Sequence, residues 1–234
     1  FLFGVNIVLI VITTLINHNH QHVPIFNSSL LNRVVNFMIS TIILAPATRL
    51  HAVHFHNHHR YYQSDKDWTI YTIVPQNLKG LSRPFFYLWK ATQNISRERK
   101  TLEIPASMKK ELKRERIWIF FFSLLLIAFS WRAFFFFALP SSLVGLLFLL
   151  LMNLENHENC DLTSTHSHSR SFLSPGENWL IFNNGYHGAH HLKPGLHWSR
   201  YPEFHRQEMA PNVESTYIIS DSIPVYLLKK YFLS

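Results

Sequence analysis

Cysteine is all but missing: Cys160 stands alone in 234 residues. That excludes a disulfide framework and any Cys-rich zinc or iron–sulfur module. Glycine is scarce at 7, and only 15% of the residues are charged. Acids are the rarer sign, 14 against 22 Lys and Arg, which leaves a formal charge of +8. There is no internal repeat and no long low-complexity tract; Thr163–Ser174 is a short Ser/His-rich loop. The chain opens on Phe1 rather than Met and so reads as a fragment lacking its true start. What is present is apolar: 47% hydrophobic residues, 20 of them Phe, too much for a disordered chain. The mean hydropathy of +0.02 averages very apolar runs with a polar remainder that holds 16 His.

The run Ile117–Met152 contains 36 residues and one charge, Arg132. As one helix it would reach roughly 54 Å, well beyond the ~30 Å hydrocarbon core of a bilayer. Pro140-Ser141-Ser142 offers a break, predicting two spans, about 117–138 and 139–156, in a tight hairpin, with Arg132 near enough to an end to snorkel. A buried soluble hairpin rarely carries Phe134-Phe135-Phe136-Phe137 without a polar face. Residues 1–17 form a further apolar run with no basic leader and no small-residue cleavage site, so it reads as a span rather than a signal peptide. In residues 30–46, Asn32, Asn36 and Ser40 recur every four positions with Arg33 beside them, the pattern of an interfacial helix.

Charge sets the orientation. Between Lys79 and Arg116 lie 11 Lys/Arg, with Lys109, Lys110, Lys113, Arg114 and Arg116 directly before the hairpin. The positive-inside rule puts this stretch in the cytoplasm, and its position against a span favours topology over nucleic-acid binding. If residues 30–46 do not cross, every histidine of the chain then lies on the cytoplasmic side.

Those histidines are clustered: His18, His20 and His22; His51, His54, His56, His58 and His59; His157; and His187, His190 and His191. The pairs His18/His22, His54/His58 and His187/His191 are spaced i,i+4, so each projects from one helical face. Neutral imidazole is a ligand for iron, zinc and copper, and such spacing lets several converge on one ion. His20 and His56 point away from these faces, and His166 and His168 fall in the Ser-rich loop, where they read as mobile. His197 and His205 suit either a hydrogen bond near the site or the surface; Asn184-Gly185 reads as turn chemistry, and Cys160 as a reduced bystander.

His18-x-x-x-His22, His54-x-x-x-His58-His59 and His187-x-x-His190-His191 resemble the three histidine boxes of the membrane fatty acid desaturase/hydroxylase superfamily. Asn153-x-x-x-His157 is similar to the extra Asn/His element after the last span, and the stretch from Asn183 to Trp198 is especially like bacterial fatty-acid-desaturase-type sequences. The resemblance runs from the first span to about Arg206. It implies an all-α fold: multi-pass membrane helices with a cytoplasmic helical cap, all one domain over 1–234, holding two Fe²⁺. The implied ligands are His18, His22, His54, His58, His59, His157, His187, His190 and His191, with Asn153 meeting a metal through water. Many acyl desaturases have one residue fewer in the second box, which leaves His51, His54 and His56 as alternatives for its first ligand.

No Glu-x-x-His occurs, so the bridging carboxylates of soluble di-iron bundles are absent, as is the His-Glu-x-x-His of zinc proteases. The implied activity is O₂-dependent desaturation of an acyl chain of a membrane lipid or acyl-CoA, with the protein orienting the chain and excluding water. The Phe-rich hairpin, Trp179, Phe182 and Trp198 are candidate chain contacts. Hydroxylation or ketolation of fatty acids, alkanes or carotenoids is the alternative within the class, and a non-catalytic membrane metal-binding or transport protein is the alternative outside it. Transport is disfavoured, because Arg132 is the only charged group in the apolar run Ile117–Met152. With no His-Pro-Gly-Gly haem segment and no Cys cluster, a separate small electron-transfer protein is implied, and the basic stretch from Lys79 to Arg116 could dock an acidic one.

Overall fold

The computed structural model describes residues 1–98 and 102–233. Arg99 and Lys100 of the basic stretch lie outside the described residues. The architecture is helical: α1 (Leu2–His22), α2 (Ser29–Ile43), α3 (Ala47–Leu50), α4 (Ser82–Glu98), α5 (Ala106–Ala133), α6 (Leu139–His157), α7 (Pro175–Leu180), α8 (His187–Leu192), α9 (Tyr201–Phe204) and α10 (Ile223–Leu228). Among the described residues the only strands are β1 (Ser171–Phe172) and β2 (Ile218–Ile219), paired in parallel. Three π-helical stretches matter below: His51–His59 continues α3, Phe134–Ala138 joins α5 to α6, and Lys229–Leu233 continues α10. The chain divides into two compact units, Phe1–Arg60 with Lys100–Leu149, and Tyr61–Arg99 with Leu150–Ser234.

Two stretches, α1 and Ala106–His157, are long and apolar enough to cross a membrane; α2 with Ala47–His59 forms a third candidate only as a pair, bent by 92°. Asn36 and Ser40 of the polar stripe of α2 face inward, while Asn32 bonds the exposed backbone of Phe26. Ser40 is fully buried, its Oγ accepting from Ala47 N at 2.9 Å, and Asn36 Oδ1 accepts from Gln21 Nε2 at 3.0 Å. Leu30, Val34, Met38 and Ile42 are left exposed. Gln21 also donates to Asn17, whose own amide reaches Ala47 O at 3.2 Å. This polar chain fixes α1, α2 and the start of α3 in register around the core of Ile10, Ile39, Ile43 and Ala47.

The hairpin turns elsewhere than expected. Its backbone break is at Ser130 (φ −160°, ψ 97°), not at Pro140-Ser141-Ser142. Ser130 Oγ accepts from Ala133 N at 3.3 Å, which caps a new helix there. Pro140 is absorbed because the wider π turns of Phe134–Ala138 run directly into it, where an α turn would meet the proline ring and lack its N–H. Glu115 and Trp118, before the break, hydrogen-bond Thr48 and Thr41; Ser142, after it, donates to Ile43 O. Both arms thus return to the same stretch of chain.

The second unit packs α4 on the last turns of α6 through Tyr87, Ala91 and Leu154, with Val74 from the preceding loop. A second cluster, Ala189, Tyr201 and Met209, seats α8 on α9 and the turn after it.

Candidate metal centre

Each unit gathers its own histidines. In the first, α1 supplies His18 and His22 one turn apart, and the π-helical stretch supplies His54, His58 and His59. The π geometry decides which of these meet: a turn closing at i+5 brings His59 back over His54, with ring centroids 4.5 Å apart. His58 stacks on His54 at 5.3 Å, and His22 stands 4.9 Å from His59. His54 Nε2 lies 2.9 Å from His18 Nε2 and 3.0 Å from His59 Nε2. The stretch is anchored at its start by Glu115, whose carboxylate accepts from Thr48 N at 3.0 Å and from Thr48 Oγ1 at 2.6 Å.

Among the three alternatives for the first ligand of the second box, His54 is the one turned toward His18. His51 and His56 pair with each other at 5.3 Å. His20 is buried but engaged elsewhere, its Nδ1 accepting from Ile25 N at 3.2 Å.

In the second unit, His157 closes α6, and His187, His190 and His191 come from α8. His157 Nε2 and His187 Nε2 are 3.0 Å apart, and the His191 ring lies 4.8 Å from His157 and 4.5 Å from His187. His190 Nδ1 is 3.0 Å from the hydroxyl of Tyr201, a contact that fixes the ring and leaves Nε2 for a ligand bond. Burial holds the Tyr201 phenol well above its usual range, so it stays protonated.

Asn153, one turn before His157, donates its Nδ2 to Thr69 O at 3.0 Å and to Tyr87 Oη at 2.8 Å, so its amide plane is fixed from the core side. His168 is packed inside the second unit rather than left at the surface of the Ser-rich loop. It is buried, with Nδ1 2.7 Å from Thr165 O, and its ring stands 6.0 Å from that of His191. Burial lowers its pKa and favours the neutral ring.

Tyr62 completes this side. Its ring lies 5.0 Å from His191 and 5.5 Å from His157, and its hydroxyl donates to His168 O at 2.7 Å. Sequence reasoning missed Tyr62, His168 and Tyr201, since no spacing rule ties them to a histidine box. His197 is exposed and caps Trp198–Arg200; His205 is buried beside Tyr186.

The ligand atoms of His18, His22 and His54 lie within 4.8 Å of one another, as do those of His157, His187 and His191. Two nitrogens bound to one ion at about 2.1 Å and at right angles sit roughly 3.0 Å apart; a tetrahedral angle spreads them to about 3.4 Å. The three Nε2 separations of 2.9, 3.0 and 3.0 Å match the right-angled edge. A ring nitrogen carries one proton or one lone pair, so His54 Nε2 cannot hydrogen-bond both His18 and His59. A cation held by His18, His22 and His54, whose ligand atoms converge, would relieve that competition.

The sequence model of one family, fatty acid desaturase, matches residues 1–220. This chain belongs to the fatty acid desaturase family. The resemblance read from the histidine groups is thereby borne out. No curated protein and no solved structure matches the chain. The family is in general one of oxidoreductases and typically metal-dependent, in keeping with histidine groups able to hold a metal ion.

Proposed function

We propose that the protein is a membrane-bound, O₂-dependent, non-haem di-iron desaturase of fatty acyl chains. Its nine histidines, His18, His22, His54, His58, His59, His157, His187, His190 and His191, would hold two Fe²⁺, with Asn153 meeting one through water. The observation that carries the reading is the Nε2 spacing within each unit's imidazole group, in a chain of this family. Bound iron would supply the activation of O₂ that removes hydrogens from an unactivated C–H bond.

The protein's own residues do the rest. Tyr201 orients His190, and Tyr62 walls off His157 and His191 with a neutral aromatic face. The apolar helices supply a lipid setting from which an acyl chain can enter, and Phe182, packed edge-on against Trp198 at 5.3 Å, offers a contact for it. A separate small electron-transfer protein delivers the electrons. Lys109, Lys110, Lys113 and Arg116 are exposed on α5 and suit an acidic donor arriving from the cytoplasm.

Product analysis tests the proposal. The complete gene is expressed in a host with a simple lipid profile, and extracted lipids are compared by gas chromatography–mass spectrometry with those from a His191→Ala variant. A new unsaturated chain that depends on His191 is the expected result. Unchanged acyl chains with iron-loaded protein present would refute acyl desaturation and shift the assignment to oxygen insertion into another lipid.

A further inference from the structure

We infer that Lys230 is a positioning residue for His157: its ammonium ties the last turn of α6 to the C-terminal segment and so directs an imidazole that the reading above makes a metal ligand. The inference rests on that reading. His157 sits at the end of a helix, where the last carbonyls have no donors of their own and the turn is prone to fray. Here that end is held on every side. Arg170 donates through Nη1 to Glu155 O, through Nη2 to Glu158 O at 3.1 Å, and through its backbone N to Asn156 O at 2.6 Å. Carboxylates stand two residues before His157, at Glu155, and one after it, at Glu158. Glu155 is fully buried, its Oε2 2.6 Å from Lys230 Nζ and its Oε1 accepting from Tyr231 Oη. Glu158 Oε2 is 2.7 Å from the same Nζ, and its Oε1 takes the Arg83 guanidinium.

Glu155 and Glu158 are three residues apart and share a helix face, so one ammonium can grip both. The rings of Tyr226 and Tyr231 cover that ammonium at 5.7 and 5.2 Å. Arg83 already balances Glu158, and Arg170 already caps the backbone. Lys230 is the group that reaches both carboxylates from a separate stretch of chain. Both carboxylates are engaged by cations, so what they offer His157 is direction, not a further ligand. Lys230 and Tyr231 lie beyond the residues 1–220 that the family model matches.

The test uses the full chain in lipid nanodiscs, loaded anaerobically with Fe²⁺, and reads iron per chain, the rate of iron release to ferrozine, and the melting temperature. Lys230→Met is expected to release one of two irons at least tenfold faster than wild type, and Lys230→Arg to behave as wild type. The deciding variant is Glu155→Gln/Lys230→Met, which leaves no buried carboxylate without its cation. Its melting temperature should return toward wild type while iron release stays fast, because the tether is still cut. If the double variant also recovers slow release, or if Lys230→Met never loses it, Lys230 only compensates charge and the inference is overturned. Should Lys230→Met fail to fold, the double variant decides alone. A wild type that binds no iron at all overturns the metal reading, and this inference with it.

Discussion

Gly185 precedes the third histidine group, and Gly185→Ala is the sharpest probe of how that group is placed. The residue carries no positive φ; that burden falls on Phe182 (φ 52°) and Asn183 (φ 56°). Its requirement is space. A Cβ there would lie 2.1 Å from Phe172 O and 2.5 Å from Asn178 Oδ1. The first of these is backbone of β1 and cannot swing aside. Two buried hydrogen bonds hold the same point, Phe172 N to Gly185 O at 2.8 Å and Gly185 N to Asn178 Oδ1 at 3.0 Å.

Clearing about 1 Å of overlap breaks or lengthens both bonds. At about 1 kcal/mol for each bond, with a further 1–3 kcal/mol for a buried group left unmatched, the cost is about 3–5 kcal/mol. In a chain of this size that lowers the melting temperature by roughly 6–20 °C. Because His187 follows two residues later, the same shift displaces the α8 imidazoles, and iron should be lost well below the new melting temperature. The assay is iron content and thermal unfolding of purified protein, with Gly176→Ala, where an added Cβ meets nothing within 4 Å, as the neutral control. A Gly185→Ala protein with wild-type melting and full iron would refute the argument from close approach.

The first unit makes a separate prediction: His54→Ala should abolish iron binding by its imidazole group, whereas His56→Ala and His51→Ala should retain it, as read by iron analysis of each purified variant. Cys160 is buried, and desolvation pushes its thiol up to about 11. Maleimide should therefore leave the native protein unlabelled at neutral pH and modify it fully once it is denatured; rapid native labelling would contradict the packing of the second unit. Reversing the charges of Lys109, Lys110 and Lys113 should raise the apparent KM for an acidic electron donor with little change in iron content, and an unchanged KM would remove the docking role. Gly145→Ala should destabilise by about 1–2 kcal/mol despite better helix propensity, since its Cβ would sit 2.3 Å from Ile10 Cγ2 and 3.3 Å from Ile10 Cβ; Ile10→Ala in the same chain should relieve it in a thermal melt.

The helical character of the chain, its candidate membrane helices and the grouping of its histidines were legible in the sequence, because all three depend on local quantities. An uninterrupted apolar run reports its own solvent, and i,i+4 imidazoles share a face whatever surrounds them. Tertiary structure decided what depends on distant partners. Proline usually breaks a helix, yet here π turns accommodate Pro140 and the capped Ser130 takes the bend. The polar stripe of α2 had the spacing of an interfacial helix; hydrogen bonds to Gln21 and Ala47 turn Asn36 and Ser40 of it inward, since a buried amide or hydroxyl must find a partner. Three histidines competed to open the second box; a π-helix, which no residue pattern announces, turns His54 toward His18 and His59. His168, Tyr62 and Tyr201 reach the second unit's imidazoles from other parts of the chain. Glu155, Glu158 and Lys230 were merely scattered charges until folding removed them from water and left each needing the others.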